Sequence, residues 1–300
     1  MCAVIVTYFP DPGQLQELLA SIAGQVEAVV IVDNTPSPGA SGLEAMLAAT
    51  HPLASHTIRF GNNRGIAAAQ NAGIAWAIER GSGYVLLFDH DSVPGADMVE
   101  KLRDTAEHLL SSGVAMAAVG PRYINPASER LARIQQIGAL RVHLSSCPDQ
   151  PADSLVRCDV LISSGTLIPV RTIEVIGNLE ESLFIDGVDY EWCLRARDRG
   201  YSSYVACGAF MRHHLGAGAV RYWFGRWRHA PIHSPARHYY MLRNALLLSR
   251  RNYVPLAWSM NQLIDTLALL AVALLFLPGR TTRVAVALRA VWHGLRGRAG

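Results

Sequence analysis

The run Tyr84-Val85-Leu86-Leu87-Phe88 ends in Asp89-His90-Asp91, which places two carboxylates one residue apart at the close of an apolar stretch. Such a stretch enters a domain as a buried strand, and ligands of open α/β sheets bind outside the carboxyl ends of their strands. Side chains alternate faces along a strand, so Asp89 and Asp91 point the same way if the extended geometry persists. Paired carboxylates repel unless a cation joins them, and hard oxygen ligands beside phosphate oxygens suit Mg²⁺ or Mn²⁺. The competing reading is a strand that stops in a turn built from Ser92, Val93, Pro94 and Gly95.

The surrounding pattern favours a nucleotide-type α/β fold. Cys2–Tyr8 and Ala28–Val32 read as buried strands, Thr57–Phe60 as a short one, and Val114–Val119 as another. Between them lie helical patterns over Pro12–Ala23, Leu43–Ala49, the Ala-rich segment from about Asn63 to Ile78, and Ala96–Ser111. Strands alternating with helices imply right-handed crossovers and a mostly parallel sheet with helices on both faces. From Pro121 to Arg157 the pattern weakens into loops with an antiparallel edge. Val160–Pro169 is strand-like with a break at Ser163-Ser164-Gly165. A helix follows over Val188–Arg199, then a strand over Tyr201–Ala206.

Charge divides the chain. Residues 207–300 hold 13 arginines and a single acid, Asp265, although the whole chain carries 27 Lys/Arg and 24 Asp/Glu. A basic C-terminal third suits a polyanion or an anionic inner leaflet and does not require nucleic acid. A helix is expected over His233–Asn252. Val254–Leu277 is nearly free of charge and, at about 1.5 Å per residue, long enough to cross a hydrocarbon core of roughly 30 Å. Asp265, Asn261 and Gln262 weaken that reading, and a re-entrant or interfacial helix fits as well. The arginine-rich tail, interleaved with Val284, Leu288, Trp292 and Leu295, reads as a basic amphipathic helix at a lipid surface; the alternative is a hairpin used for homo-oligomerisation. The five cysteines form no CxxC pair, and the opening run lacks the parts of a signal peptide, so reduced thiols in a cytoplasmic setting are expected.

Four further features fall at strand ends. Asp33, followed by Asn34, can accept from a ribose hydroxyl or a base N–H. Gly61-Asn62-Asn63-Arg64-Gly65, with Asn71 beyond, sets amides and a guanidinium around a helix start suited to phosphate, or simply caps that helix. Asp186, Asp189 and Glu191 crowd the start of an Arg-rich helix; a carboxylate there is a candidate general base or a complement to the helix dipole. His213-His214-Leu215-Gly216 closes the globular part with a candidate metal or phosphate ligand. P-loop, HExxH, nucleophile-elbow and GxGxxG patterns are missing, which argues against NTPases, zincins, α/β-hydrolases and dinucleotide dehydrogenases.

In order, VIVTY (Val4–Tyr8), VDN at Asp33, NNRGIAAAQNAGI (Asn62–Ile74), LLFDHDSVP (Leu86–Pro94), ISSGTLI (Ile162–Ile168), FIDGVDYEWCLRARDRGY (Phe184–Tyr201), HHLG (His213–Gly216) and YYMLRN (Tyr239–Asn244) resemble family 2 glycosyltransferases of the GT-A fold, bacterial rhamnosyltransferases among them. The resemblance implies a Rossmann-like sheet with flanking helices over residues 1–215 and a helical, membrane-associating region over 216–300. It implies an inverting transfer, from dTDP-L-rhamnose or another UDP- or dTDP-sugar, to a lipid-linked or polysaccharide acceptor. Thr7, Asp33, Asn63, Arg64, Asn71 and Asp89 would face the donor. Asp91 and His213 would hold Mg²⁺ or Mn²⁺, and Asp189 would be the base. Asp186, Glu191, Ser164 and Gly165 would serve the acidic motif or the acceptor. Two departures from the family pattern, His90 between the aspartates and Asp-Gly-Val-Asp in the acidic motif, leave the choice among Asp186, Asp189 and Glu191 open. The rivals are a nucleotidyltransferase, which would need a Lys-bearing loop where Phe9-Pro10-Asp11-Pro12 stands, and an inactive scaffold, which would not need to keep Asp89, Asp91 and Asp189.

Overall fold

The structure is a computed structural model that describes residues 1–36, 55–125, 130–148, 154–213 and 218–298. The helix expected over 43–49 and residues 214–216 of the HHLG motif lie outside the described residues.

Strands β1 (Cys2–Thr7), β2 (Ala28–Asp33), β3 (Ser55–Arg59) and β4 (Tyr84–Asp89) pair in parallel in the order β4-β1-β2-β3. Their side chains sort by the two-residue period of a strand. Cys2, Val4, Val6, Val30, Val32, Val85 and Leu87 enter one core, whereas Ala3, Ile5, Val29, Ile31, Leu86 and Phe88 enter the other. Continuous apolar strands therefore feed two helical layers. The second core is closed by α1 (Pro12–Ile22) and by α3 (Met98–Ser111), through Leu15, Leu18, Leu19 and Ile22 and through Met98, Leu102, Ala106 and Leu109. Asp11 caps α1, its carboxylate accepting from Gln14 N at 3.0 Å, and Pro12 pre-sets the first turn. The first core is closed by α2 (Ile66–Glu79), α4 (Val170–Ile176) and α5 (Val188–Asp198).

Beyond β4 the expectation of a mostly parallel sheet needs enlarging, because the sheet is mixed. Strand β6 (Met116–Asn125) outruns the expected Val114–Val119 strand, and β11 (Thr166–Pro169) lies antiparallel between β6 and β4. Only the last residues of the strand-like run Val160–Pro169 are strand; the Ser-Ser-Gly break keeps the rest as loop, with Gly165 at φ 77°. Strand β12 (Ser202–His213) continues seven residues past the expected Ala206, parallel to β6 and antiparallel to β10 (Leu155–Cys158) and to the short β5 (Ser92–Pro94). A two-residue strand β7 (Arg130–Leu131) pairs with β6. The hairpin of β8 (Ile134–Ile137) and β9 (Val142–Ser145) covers the β10 end.

One cysteine expectation is corrected. Cys147, just after β9, is disulfide-bonded to Cys207 in β12, with Cα atoms 5.7 Å apart; Cys2, Cys158 and Cys193 are free and buried. The hairpin folding onto β12 juxtaposes two residues 60 apart in sequence, a pairing that spacing alone could not reveal.

After an unforeseen hairpin, β13 (Ala219–Phe224) and β14 (Arg226–Pro231), come three helices: α6 (Pro235–Leu248), α7 (Leu256–Phe276) and α8 (Arg280–Leu295). Leu247 and Leu248 of α6 and Trp258 of α7 belong to the first sheet core, and Leu242, Leu270 and Ala290 tie the three helices together. Among the described residues α7 alone is long and apolar enough to cross a membrane, with mean hydropathy 1.6.

Gly73 sets how closely α2 approaches the sheet. A Cβ there would collide with Val4 Cγ1 and stand 3.3 Å from Val32 Cγ2. Alanine normally gains about 1 kcal/mol over glycine in a helix. Here Gly73→Ala is expected to lower stability by about 1–3 kcal/mol instead, because overpacking outweighs propensity; denaturant melts of the two proteins read the sign directly.

Candidate active site

The carboxyl ends of β1, β2 and β4 and the end of β12 converge on one side of the sheet. Thr7 and Asp33 are register partners of β1 and β2, so their side chains share a face. Thr7 Oγ1 donates to Asp33 Oδ1 at 3.1 Å, and Thr35 N–H donates to the same oxygen at 3.1 Å. Asp33 is 1 % exposed. Its carboxylate is held by local donors, with Thr7 acting as its clamp.

The loop before α2 is organised by amides. Asn34 Nδ2 donates to Asn63 Oδ1 at 2.9 Å, Arg64 N–H to Asn34 Oδ1 at 2.8 Å, and Gly65 N–H to Asn63 Oδ1 at 3.0 Å. Ile66 N–H donates to the Phe184 carbonyl at 2.7 Å. The N–H groups of Arg64, Gly65 and Ile66 at this helix start are thus already bonded. Gly65, at φ 86°, is required because a Cβ would lie 2.6 Å from that carbonyl. Arg64 is exposed on the rim with its guanidinium over the Phe60 ring. Asn71 is not brought to the cleft: it pairs with both backbone groups of Leu179 and with Glu181.

Extended geometry does not persist past Asp89; a turn at His90-Asp91 intervenes. That turn still brings both carboxylates to His213, which β5–β12 pairing places opposite Ser92. His213 Nε2 lies 3.8 Å from Asp89 Oδ2 and Nδ1 3.4 Å from Asp91 Oδ1. One ligand atom from each of Asp89, Asp91 and His213 falls within 4.8 Å of the others, an arrangement that can hold a metal ion. Ser92 Oγ lies 2.9 Å from His213 Nδ1 and 2.5 Å from Ser164 Oγ, and Ser164 Oγ accepts from Asp89 N–H at 3.1 Å. Ser164 therefore braces the aspartate strand, while Gly165 lets its loop pass close to Pro121 and Met211. Burial pushes the Asp89 carboxyl above the usual range, His213 opposing and Asp91 adding to the shift. Asp91 is instead held below the usual range: burial pushes it up, and the His213 hydrogen bond and charge outweigh that burial. A partly buried pair of carboxyls beside an imidazole fits an added cation.

The acidic motif is the most constrained segment of the cleft. Phe184 and Asp186 both have positive φ, 66° and 62°, and Gly187 follows at 89°. Strained residues persist only where neighbours over-determine them. Asn244 Nδ2 donates to the carbonyls of Leu183, Ile185 and Asp186 at 2.8–2.9 Å, and Arg243 donates to those of Ser182 and Leu183. Tyr240 stacks on Phe184, and Arg237 grips Asp186 through Nε and an Nη at 2.9–3.2 Å. The YYMLRN stretch of the sequence thus holds the acidic loop from α6. Arg237, which the sequence reading missed, carried no motif signal beyond its place after Ser234-Pro235, where Ser234 caps α6.

The three acids of the motif have different fates. Glu191 is fully buried, paired with Arg195 at 2.8 Å and bonded by the Tyr253 hydroxyl at 2.6 Å. Asp186 is paired with Arg237. Asp189 ion-pairs with no Lys or Arg among the described residues; it accepts only the N–H groups of Ser163 at 3.2 Å and Tyr190 at 2.9 Å. Burial pushes its carboxyl up to about 7, the two N–H bonds opposing and Asp89 and Asp186 adding. A cavity of about 420 Å³ is lined by Asp89, Asp91, His213, Asp186, Asp189 and Arg237 together with Tyr8, Ser163 and Tyr190. Four carboxylates face one guanidinium there. Such a cleft can hold a cation and an anionic ligand together and can take a proton near neutral pH.

Comparison with known proteins gives the arrangement a family. The profile of the Glycosyl transferase family 2 matches residues 2–167. The dTDP-rhamnosyl transferase RfbF of Shigella flexneri is 34% identical over 269 residues, 88% of this chain and 85% of that protein. GalNAc-T7, solved with UDP, GalNAc and Mn²⁺, superposes with a TM-score of 0.57 at 11% identity, covering 88% of this chain and 54% of its own. S. aureus TarS 1–349, solved with UDP-GlcNAc, superposes with a TM-score of 0.53 at 13% identity, covering 99% and 81%. The chain belongs to glycosyltransferase family 2: it is a rhamnosyltransferase-like glycosyltransferase of the GT-A fold.

Proposed function

We propose that the protein transfers L-rhamnose from dTDP-L-rhamnose to a hydroxyl of a lipid-linked or polysaccharide acceptor, in one inverting displacement. The observation that carries this reading is Asp189: a carboxyl poised near neutral pH, free of a cationic partner among the described residues, in the same cavity as Asp89, Asp91 and His213. Asp189 takes the acceptor hydroxyl proton as the bond to the sugar forms on the face opposite the departing diphosphate. Asp33, fixed by Thr7, receives the nucleoside, and Asp89 stands toward the ribose. Asp91 and His213, with Asp89, would hold Mg²⁺ or Mn²⁺, which when bound neutralises charge on the diphosphate. Among the described residues Arg237 is the one Lys or Arg on the cavity wall, and it can turn from Asp186 to that diphosphate. The donor sugar rests on the 34% identity to a dTDP-rhamnosyl transferase.

The reading extends to the C-terminal part, residues 216–300, as a membrane-associating region at the cytoplasmic face of the inner membrane. Leu256, Met260, Ile264 and Leu267 of α7, and Val284, Leu288, Val291, Trp292 and Leu295 of α8, form exposed apolar stripes at helical spacing. The opposite side of α7 packs on protein through Trp258, Leu270 and Ala273, which favours a helix lying in the interface over one that spans.

Three outcomes test these assignments. With Mg²⁺ or Mn²⁺ present, dTDP-L-rhamnose is expected to raise the thermal midpoint more than UDP-glucose, UDP-GlcNAc or dTDP-glucose; selective stabilisation by another of these sugars replaces the donor. Asp189→Asn is expected to cut transfer by about 10²–10⁴-fold with donor affinity kept, and wild-type kcat to rise with pH through about 7. Stability shifts the other way. The folded carboxyl titrates at about 7 and the unfolded one at about 4, so its charging costs the folded state stability between those pH values and fully above them. Asp189→Asn should therefore melt higher than wild type at pH 8, the gap closing toward pH 4. For the membrane, deleting all of α7 would remove buried Trp258, so Ile264→Arg with Leu288→Glu is the cleaner probe. It should shift the protein from pelleted anionic vesicles to the supernatant; unchanged pelleting refutes the interface.

A further inference from the structure

A second cavity adjoins the acidic cleft, sharing Ile162 and Tyr190 with it, and its charge is opposite. It lies between β6, the β8–β9 hairpin and the loop before β11. Among the described residues its wall holds two arginines, Arg122 and Arg133, and no Asp or Glu, plus the polar groups of Tyr123, Gln135, Ser164 and Thr166. Arg122 forms no ion pair among the described residues, and its Nε is buried with no hydrogen-bond partner. Its guanidinium carbon lies 5.8 Å from the Phe210 ring centre. A buried donor without a partner is unfavourable, and Arg122 is the arginine of the cavity wall that carries it. Arg133 is exposed at the rim and donates to Ser146 Oγ at 2.7 Å.

Size narrows the ligand. The cavity offers about 50 Å³, and a single water needs about 10–15 Å³ on the same measure. A few water-sized atoms fit, which matches one phosphate or carboxylate group and excludes a sugar ring. The walls are fixed: the Cys147–Cys207 disulfide fastens the hairpin end to β12, and Asp159 binds both Arg197 and Ile137 N–H. At Gly120 a Cβ would come within 3.0 Å of Leu161 and 3.3 Å of Thr166 Oγ1, so the cavity has no slack there. Burial and Asp189 push the Tyr123 hydroxyl up to about 12, which keeps it a neutral donor.

We propose that this cavity binds an oxyanion carried by the acceptor, with Arg122 as the principal contact and Arg133 at the entrance. Its assignment to the acceptor rests on Asp189 being the base, since Tyr190, the residue after Asp189, lines both cavities; the anion site itself does not. The anion is the phosphate of a lipid-linked acceptor or the carboxylate of an acidic sugar, the shared chemistry being a compact group that accepts from a guanidinium.

The full-length protein, with its donor cleft filled by dTDP and Mg²⁺, is titrated with phenyl phosphate, phenyl β-glucuronide and neutral phenyl β-glucoside, binding being read by calorimetry. One of the two anions should bind at least about tenfold more tightly than the glucoside, and which one identifies the source. Arg122→Gln should erase that preference and Arg122→Lys restore part of it, thermal midpoints reporting the fold. If Arg122→Gln does not fold, Arg133→Gln, at an exposed position, carries the test with a smaller loss. Equal binding of all three probes, or a preference undiminished in the folded variants, overturns the proposal. Failure of dTDP to bind wild type would instead defeat the donor reading, while the anion preference, measured without dTDP, would still decide this one.

Discussion

Four carboxylates, Asp89, Asp91, Asp186 and Asp189, face one cleft, and their mutual repulsion is the constraint around which the rest of the molecule is arranged. Two unit charges 4 Å apart repel by about 4 kcal/mol in a partly screened protein site. The chain meets this in three ways. His213 is drawn between Asp89 and Asp91; burial works against its charge, and the two carboxylates prevail and raise its pKa. Arg237 neutralises Asp186. Asp189 has no cationic partner among the described residues, and burial outweighs its two N–H bonds, so it keeps its proton to about pH 7. Asp89 and Asp91 thus share His213, Asp186 has Arg237 and Asp189 has N–H groups alone, so the carboxyls of one pocket are held in different charge environments.

Holding those neighbours in place requires backbone the chain would not adopt on its own. The positive φ values at Phe184 and Asp186 aim the acidic loop at the cleft and set Gly187 to start α5 with Asp189 in its first turn. The restraint comes from Asn244 and Arg243, which satisfy carbonyls that no strand or helix satisfies. Gly65 receives the other side of this loop at its Phe184 carbonyl. The bond from Ile66 N–H to the Phe184 carbonyl thus locks the start of α2 to the acidic loop, while the Arg64 and Gly65 N–H groups are spent on Asn34 and Asn63.

The parallel core was legible because its strands are apolar on both faces and break cleanly at Thr7, Asp33 and Asp89, and the acids at those ends were legible for the same reason. The antiparallel β11 was not, since four residues carry no period that tells direction, and neither was the length of β12, whose apolar character fades before its pairing does. Asn71 and Glu191 look like site residues in a string of letters because amides and acids are used for both chemistry and internal bonding. Only the fold shows Asn71 spent on Leu179 and Glu191 on Arg195 and Tyr253. Arg237 was invisible for the converse reason: one arginine among 13 in a basic tail carries no mark of the acid it meets.

That last point changes the meaning of the charge asymmetry. A tail with 13 arginines and one acid reads in sequence as a surface seeking an external anion. In the fold, Arg237 pairs with Asp186, Arg243 binds the carbonyls of the acidic loop, Arg251 pairs with Glu180 and Arg212 with Glu17. Part of the excess therefore answers the acidic balance of the N-terminal two-thirds within the same chain. Arg280, Arg289, Arg296 and Arg298 ion-pair with no acid among the described residues, and all four lie on or beside α8, the helix whose apolar stripe is exposed. Four cations without an acid partner among the described residues thus stand beside the exposed apolar stripe of α8, the combination on which the proposed lipid contact rests, while Arg221 on β13 lies over Trp227 instead.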